Sequence, residues 1–312
     1  MIEVKNVTKK YGSFTAVNDI SFTINDGEVV GFLGPNGAGK STTMNIITGY
    51  IEQTEGQVMV NGYDTIKKAK KAKREIGYMP EGVPLYTDLT VKEFVTYMAE
   101  LHQIDRKQKK GMVQKAIKET GLEDMQNKLI KNLSRGQKQR VSLAGTLVGD
   151  PKILILDEPT VGLDPKQITE IRSLIKDLGK KHTVILSSHI LSEVSQICDR
   201  VIIINRGKIV AIDTPENLEK KVSDNNVIYV TVEDPENRVE NVKITDVTDI
   251  KLIKTNEDGT KQYEIRGKEN INLNKVIFNE FAKENITIFE MKKAEATLED
   301  AFMKIIKEGG EN

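Results

Sequence analysis

Gly34-Pro35-Asn36-Gly37-Ala38-Gly39-Lys40-Ser41-Thr42 sets two glycines, a lysine and a hydroxyl at the spacing G-x-x-x-x-G-K-[ST]. Residues of these types at this spacing do phosphate chemistry. Glycines let backbone N–H groups turn inward around phosphate oxygens, and a helix beginning at the loop's end adds partial positive charge. Lys40 is expected to reach the β- and γ-phosphates, and the Ser41 hydroxyl to ligate Mg²⁺. A second candidate set is the adjacent pair Asp157 and Glu158, which ends the apolar run Ile153 to Leu156. With a phosphate loop in the same chain, Asp157 is expected to hold the Mg²⁺ through water. Glu158 then faces the γ-phosphate as the base that polarises an attacking water.

The elements needed to position these groups are legible around them. Glu28 to Leu33 (EVVGFL) reads as a short strand entering the glycine loop, and Ser41 to Tyr50 as the helix leaving it. Ile2 to Gly12 and Ile20 to Asn25 alternate apolar and polar residues, as expected of a half-exposed sheet. Gly56 to Asp64 and Arg74 to Glu81 read as further strands. The lysine-rich stretch Lys67 to Arg74 reads as a solvated helix face. From about 91 to 150 the periodicity is helical, marking an inserted helical subdomain. Short buried runs then resume at Lys152 to Glu158, Thr183 to Ser188 and Arg200 to Asn205. Apolar strands alternating with helices predict a mostly parallel sheet covered on both faces. A polar stretch near Lys221 to Asn226 predicts a boundary between a large domain over 1–220 and a small α+β domain over 227–312. That second part holds two strands, a variable polar segment, a helix, a strand and a last helix.

The 312 residues carry 46 basic and 46 acidic side chains, so no bulk charge draws the chain to nucleic acid or an anionic membrane. The N-terminus lacks a signal-peptide core, and no segment is apolar enough to span a bilayer. The one cysteine, Cys198, rules out an intrachain disulfide and sits in a core-packing pattern. These features suit a reducing cytoplasm.

Leu133 to Arg140 (LSRGQKQR), placed before the acidic strand, resembles the LSGGQ signature of ATP-binding cassette (ABC) ATPases. Together with the phosphate loop, ILILDEPTVGLDP and SSHIL, it makes the chain resemble the ATP-binding subunit of an ABC transporter over about Met1 to Lys220. The resemblance implies a phosphate-loop ATPase core with an N-terminal antiparallel β subdomain and an inserted helical subdomain. It implies that Ser134, Gly136 and Gln137 contact ATP held by a second subunit, with Arg135 standing where the family has glycine. It further implies that Tyr11 stacks on adenine, that Glu81 takes the place of the family's Mg²⁺-touching glutamine, that Leu163 and Asp164 meet the other subunit, and that His189 hydrogen-bonds the γ-phosphate. The ending ATLEDAFMKIIKE resembles the tail of ATPase subunits paired with drug, antibiotic or polysaccharide exporters.

The expected activity is therefore ATP hydrolysis coupled to transport, with ATP and Mg²⁺ bound. One phosphate loop and one signature per chain imply a two-fold pair, with a second copy or a related subunit. The implied partner is a transmembrane permease, at the inner face of the cell membrane, and no nucleic acid is expected. Three other readings stand beside this one: a soluble ABC ATPase acting on ribosomes or nucleic acid, an ordinary phosphate-loop kinase or GTPase, for which LSRGQ would have no purpose, and a non-hydrolysing regulatory ATP-binding subunit.

Overall fold

In the computed structural model of the chain, the described residues are 1–82, 85–188, 190–222, 226–242, 244–268, 271–294 and 297–308. Two compact units emerge, Met1–Pro215 with Ile305–Asn312, and Glu216–Lys304.

The first unit opens with β1 (Ile2–Tyr11), β2 (Phe14–Ile24) and β3 (Val29–Leu33), then α1 (Lys40–Ile47), β4 (Glu55–Val60) and β5 (Tyr63–Asp64). A short lysine-rich helix α2 (Ala69–Arg74) buries only Ala72 and leads into β6 (Ile76–Met79). The helical block holds α3 (Val91–Leu101), α4 (Arg106–Glu119) and α5 (Arg135–Leu147). Then come β7 (Ile153–Leu156), α6 (Pro165–Gly179), β8 (Thr183–Ser187), α7 (Leu191–Ile197), β9 (Arg200–Asn205) and β10 (Lys208–Asp213).

Two sheets form. The smaller has the order β2-β1-β4-β5 and is antiparallel throughout. Its alternating burial keeps Ile2, Val4, Ile20, Phe22 and Ile24 inside. The larger has the order β10-β9-β3-β8-β7-β6, parallel from β9 to β6 with β10 as an antiparallel edge. All residues of β3, β7 and β8 are buried, as strands covered on both faces must be. Each fully buried aliphatic side chain contributes about 1.5–3 kcal/mol of transfer free energy, which anchors the strand ends that carry polar groups. One core spans both sheets, with Phe22 and Phe32 rings 5.8 Å apart, and α1 buries Met44, Ile46 and Ile47 in it.

Helix ends follow local chemistry. Thr90 and Glu93 form a reciprocal capping box at the start of α3, and Asp164 caps α6 with Pro165 in its first turn. Helix α1 stops at Ile47, short of the Tyr50 read from periodicity, because Gly49 takes φ 66°.

In the second unit, α8 (Pro215–Val222) precedes β11 (Asn226–Glu233), β12 (Val247–Thr255), β13 (Lys261–Gly267), α9 (Leu273–Lys283) and β14 (Thr287–Lys293), and α10 (Leu298–Glu308) spans the division at Lys304 and Ile305. The strands pair antiparallel in the order β12-β13-β11-β14. Leu273, Ile277 and Phe281 of α9 pack on Ile228, Val230, Tyr263 and Ile265. Strand β12 runs through the stretch read from sequence as a variable polar segment. It is an edge strand, largely exposed, so its side chains carry little apolar signal. Asp234 is fully buried and accepts hydrogen bonds from the Tyr263 hydroxyl at 2.8 Å and from the Arg238 and Val239 N–H groups at 2.7 and 3.1 Å.

Candidate nucleotide site

The phosphate loop joins the C-terminal end of β3 to α1, in the middle of the parallel sheet. Its glycines are sterically required at two positions. A Cβ on Gly34 would lie 2.3 Å from the Ile204 carbonyl oxygen, so the loop is pressed against β9. Gly39 caps α1 with φ 109°, and a Cβ there would meet the Ala16 carbonyl at 2.7 Å. No side chain caps the first turn of α1, which leaves its N–H groups directed toward an incoming anion.

Lys40 folds back over this loop. Its Nζ donates to the carbonyl oxygens of Gly34 at 2.7 Å and Pro35 at 3.3 Å. Burial pushes its pKa below the ordinary lysine value, while the charges of Glu158, Asp157 and Glu81 push it back up. Four of the residues singled out from sequence thus act on one another. Pro35, Asn36, Gly37 and Ala38 form the loop itself, and Ser41 and Thr42 lie in the first turn of α1.

The two carboxylates sit at the C-terminal end of β7. Asp157 is buried, its N–H bonded to the Met79 carbonyl at 2.8 Å and its Oδ1 accepting from the Ser187 hydroxyl at 2.5 Å. The same Ser187 oxygen accepts the Glu158 N–H at 2.9 Å. Register makes this possible, since Leu156 of β7 pairs with Leu186 of β8. Neighbouring Tyr78 has its hydroxyl pushed up to about 12, by burial first and then by the charges of Asp157 and Tyr50.

Ser134 and Gln137 form a second capping box, at the start of α5. The Ser134 hydroxyl accepts the Gln137 N–H at 3.3 Å, and Gln137 Oε1 accepts the Ser134 N–H at 2.9 Å. With Gly136 they line a groove of about 360 Å³ bounded also by Arg140, Asp164 and Gln167, and no phosphate-loop residue lines it. Tyr11 ends β1 half-exposed, with the Lys9 ammonium 5.0 Å from its ring centre. His189, expected near the γ-phosphate, lies outside the described residues.

Among the described residues no three His, Cys, Asp or Glu side chains form a metal cage. A hydroxyl, one or two carboxylates and the substrate's own phosphates are the donor set Mg²⁺ takes in nucleotide enzymes, and Ser41, Asp157 and Glu81 fit that set. Sequence reasoning missed three side chains that tie the loop after Glu158: Ser187, Gln139 and Glu193. Ser187 and Glu193 are polar residues beside apolar runs, the one signal that marked them, whereas Gln139 sits between Lys138 and Arg140 and carried none.

Comparison with known proteins agrees with this geometry. The family described as ABC transporter matches residues 17–161. An uncharacterized ABC transporter ATP-binding protein, YhcH of Bacillus subtilis, is 36% identical over 99% of this chain and 96% of its own length. The bacitracin transport ATP-binding protein BcrA of Bacillus licheniformis is 35% identical over 99% of this chain and 98% of its own. Among solved structures, cbiO1 from Clostridium perfringens, part of the transporter complex cbiONQ, superposes with a TM-score of 0.65 at 31% identity, covering 71% of this chain and 92% of that one. A dimeric post-hydrolysis ATP-binding cassette bound to ADP and Pi gives 0.61 at 30% identity, covering 69% and 98%. With its phosphate cradle, its paired carboxylates and relatives along nearly its whole length, the chain belongs to the ATP-binding subunits of ABC transporters, a family of nucleotide-binding ATPases.

Proposed function

We propose that the chain holds ATP between its own phosphate loop and the Ser134–Gln137 corner of a second ATPase subunit, and that hydrolysis reopens the pair to drive a membrane permease. The observation that carries this reading is a division of labour within the chain. Lys40 feels the charges of Glu81, Asp157 and Glu158, whereas Ser134, Gly136 and Gln137 line a groove free of phosphate-loop residues. Each chain offers both components at separate places, and a two-fold pair brings one of each together twice.

Each residue then has a defined task. Lys40 exchanges two carbonyl partners for the β- and γ-phosphate oxygens, where its charge is compensated more fully. The N–H groups of 34–42 orient the phosphates. Ser41, Asp157 and Glu81 would hold Mg²⁺, which neutralises phosphate charge when bound. Glu158 accepts the proton of the attacking water at its carboxylate, and His189 meets the γ-phosphate. Tyr11 offers a half-exposed ring for the adenine. Binding closes the pair because the γ-phosphate bridges it; cleavage removes that bridge.

Among the described residues no helix is long and apolar enough to cross a membrane, so movement of cargo falls to a partner. Association at the membrane through a multi-helix permease follows. Relatives named for bacitracin transport and linearmycin resistance, with the exporter-like tail ATLEDAFMKIIKE, support outward transport. The test is Glu158→Gln in the full chain. ATP binding should persist, turnover should stop, and light scattering should find an ATP-dependent dimer. Affinity isolation of that variant from membranes should recover a multi-helix protein. Unchanged hydrolysis would remove Glu158 as the base, and recovery of ribosomes or DNA instead would overturn the transporter assignment.

A further inference from the structure

Glu158 adopts φ 49°, a left-handed conformation that costs a residue with a Cβ about 1–2 kcal/mol. Such a backbone persists only where its surroundings over-determine it. Among the described residues, β8, α7 and α5 each grip the segment that starts there. Ser187 at the end of β8 accepts the Glu158 N–H, and buried Glu193 of α7 accepts the Thr160 hydroxyl at 2.8 Å. The third grip comes from α5 and has two points. Gln139 Nε2 donates to the Pro159 carbonyl at 2.7 Å, and Arg135 Nη1 donates to the Gly162 carbonyl at 3.1 Å. Four residues apart, the two side chains stand on one helix face.

The Arg135 contact is more than one hydrogen bond. A Cβ on Gly162 would lie 3.0, 3.0 and 3.1 Å from Cζ, Nη1 and Nη2 of Arg135, so the guanidinium plane covers the glycine face-on. Gly162 itself has φ 71°. Only a bare glycine lets the plane approach this closely, and only a planar fork covers the turn and bonds its carbonyl together. Position 135 is where this chain departs from the family's glycine, and the departing side chain is directed at the loop of its own chain.

We propose that Arg135 is a positioning residue which, with Gln139, clamps the Pro159–Gly162 turn to α5 and so holds Glu158 in its left-handed, hydrolysis-ready geometry. The inference rests on Glu158 being the base. It makes a counter-intuitive forecast: restoring the family's glycine slows the enzyme.

The test compares full-length wild type with Arg135→Gly and Arg135→Lys by two readouts. Hydrogen exchange without nucleotide reports the loop directly, through the Val161 and Leu163 N–H groups that bond the Glu158 and Thr160 carbonyls. Arg135→Gly should exchange roughly three- to tenfold faster there, the loss of one charge-assisted bond at an exposed site. Its kcat should fall by a similar factor with KM for ATP within about twofold, and Arg135→Lys should recover part of both, since an ammonium reaches the carbonyl but cannot cover the turn. Unchanged exchange in Arg135→Gly would overturn the clamp. A loss confined to KM would overturn it as well, placing Arg135 on the nucleotide. Turnover persisting in Glu158→Gln would instead sink the base assignment, an outcome the exchange data do not depend on.

Discussion

The Ser187 hydroxyl joins the side chain of Asp157 to the backbone of Glu158, donating to the Asp157 Oδ1 at 2.5 Å and accepting the Glu158 N–H at 2.9 Å. One oxygen atom therefore fixes the rotamer of one carboxylate and the backbone of the other. Ser187→Ala leaves a buried carboxylate oxygen and an N–H short of a partner, a cost of about 1–3 kcal/mol in stability. Turnover should fall about tenfold or more, with ATP affinity within about threefold. Steady-state kinetics beside nucleotide titration separates the two; a loss of affinity alone would contradict the orienting role.

Gly34 tolerates no side chain, because the atom it would strike is a backbone oxygen of β9 rather than the end of a flexible group. Gly34→Ala should weaken ATP binding by more than about tenfold and destabilise the fold by about 1–3 kcal/mol through overpacking. Calorimetric titration and thermal unfolding check both.

Lys40 is a base with a lowered folded pKa, because burial outweighs the three carboxylates. Below that folded pKa its buried charge opposes folding, and the opposition fades as pH rises toward the unfolded value of 10.5, where the unfolded chain also loses its proton. A triphosphate favours the charged form and raises the pKa. ATP binding in alkaline solution should therefore take up protons, and affinity should weaken as pH climbs toward 10.5. Titrations across the alkaline range below 10.5 in buffers of different ionisation enthalpy would reveal the uptake, and Lys40→Met should abolish it.

Asp234 bears on acid stability of the second unit. Burial pushes its pKa up, but the Tyr263 hydroxyl, the Val239 and Arg238 N–H groups and the Lys261 charge together hold it below the ordinary 3.8. A carboxylate lowered on folding stabilises the fold above 3.8, and that contribution is lost as pH falls through its folded value. Asp234→Asn should cost about 1–3 kcal/mol near neutrality and flatten the acid limb of the unfolding profile. Urea unfolding followed from neutral pH down through and below 3.8 measures it.

How much was legible beforehand depended on whether a contact is local. The glycine loop, the strand before it and the helix after it are encoded within about twenty neighbouring residues, and the parallel strands announced themselves as apolar runs. Ser187 reaches Asp157 across 30 positions, and Thr160 reaches Glu193 across 33, through strand register that spacing alone does not reveal. Arg135 could be seen to break a pattern, but that its guanidinium covers Gly162 depended on how the Glu158–Asp164 turn folds. Strand β12 escaped notice because edge strands need few apolar residues.

Cys198 is the one cysteine of the chain, and its sulfur lies 3.2 Å from where a Cβ on Gly31 would sit, beneath the strand that feeds the phosphate loop. Burial, and secondarily the Asp199 charge, push its thiol well above the ordinary range, so it stays protonated and unreactive. For anyone wishing to watch two copies close on ATP, the native sequence is already a blank background. A cysteine introduced on the surface would be the single reactive thiol, ready for a spin label or a dye pair, with no need to replace Cys198 first.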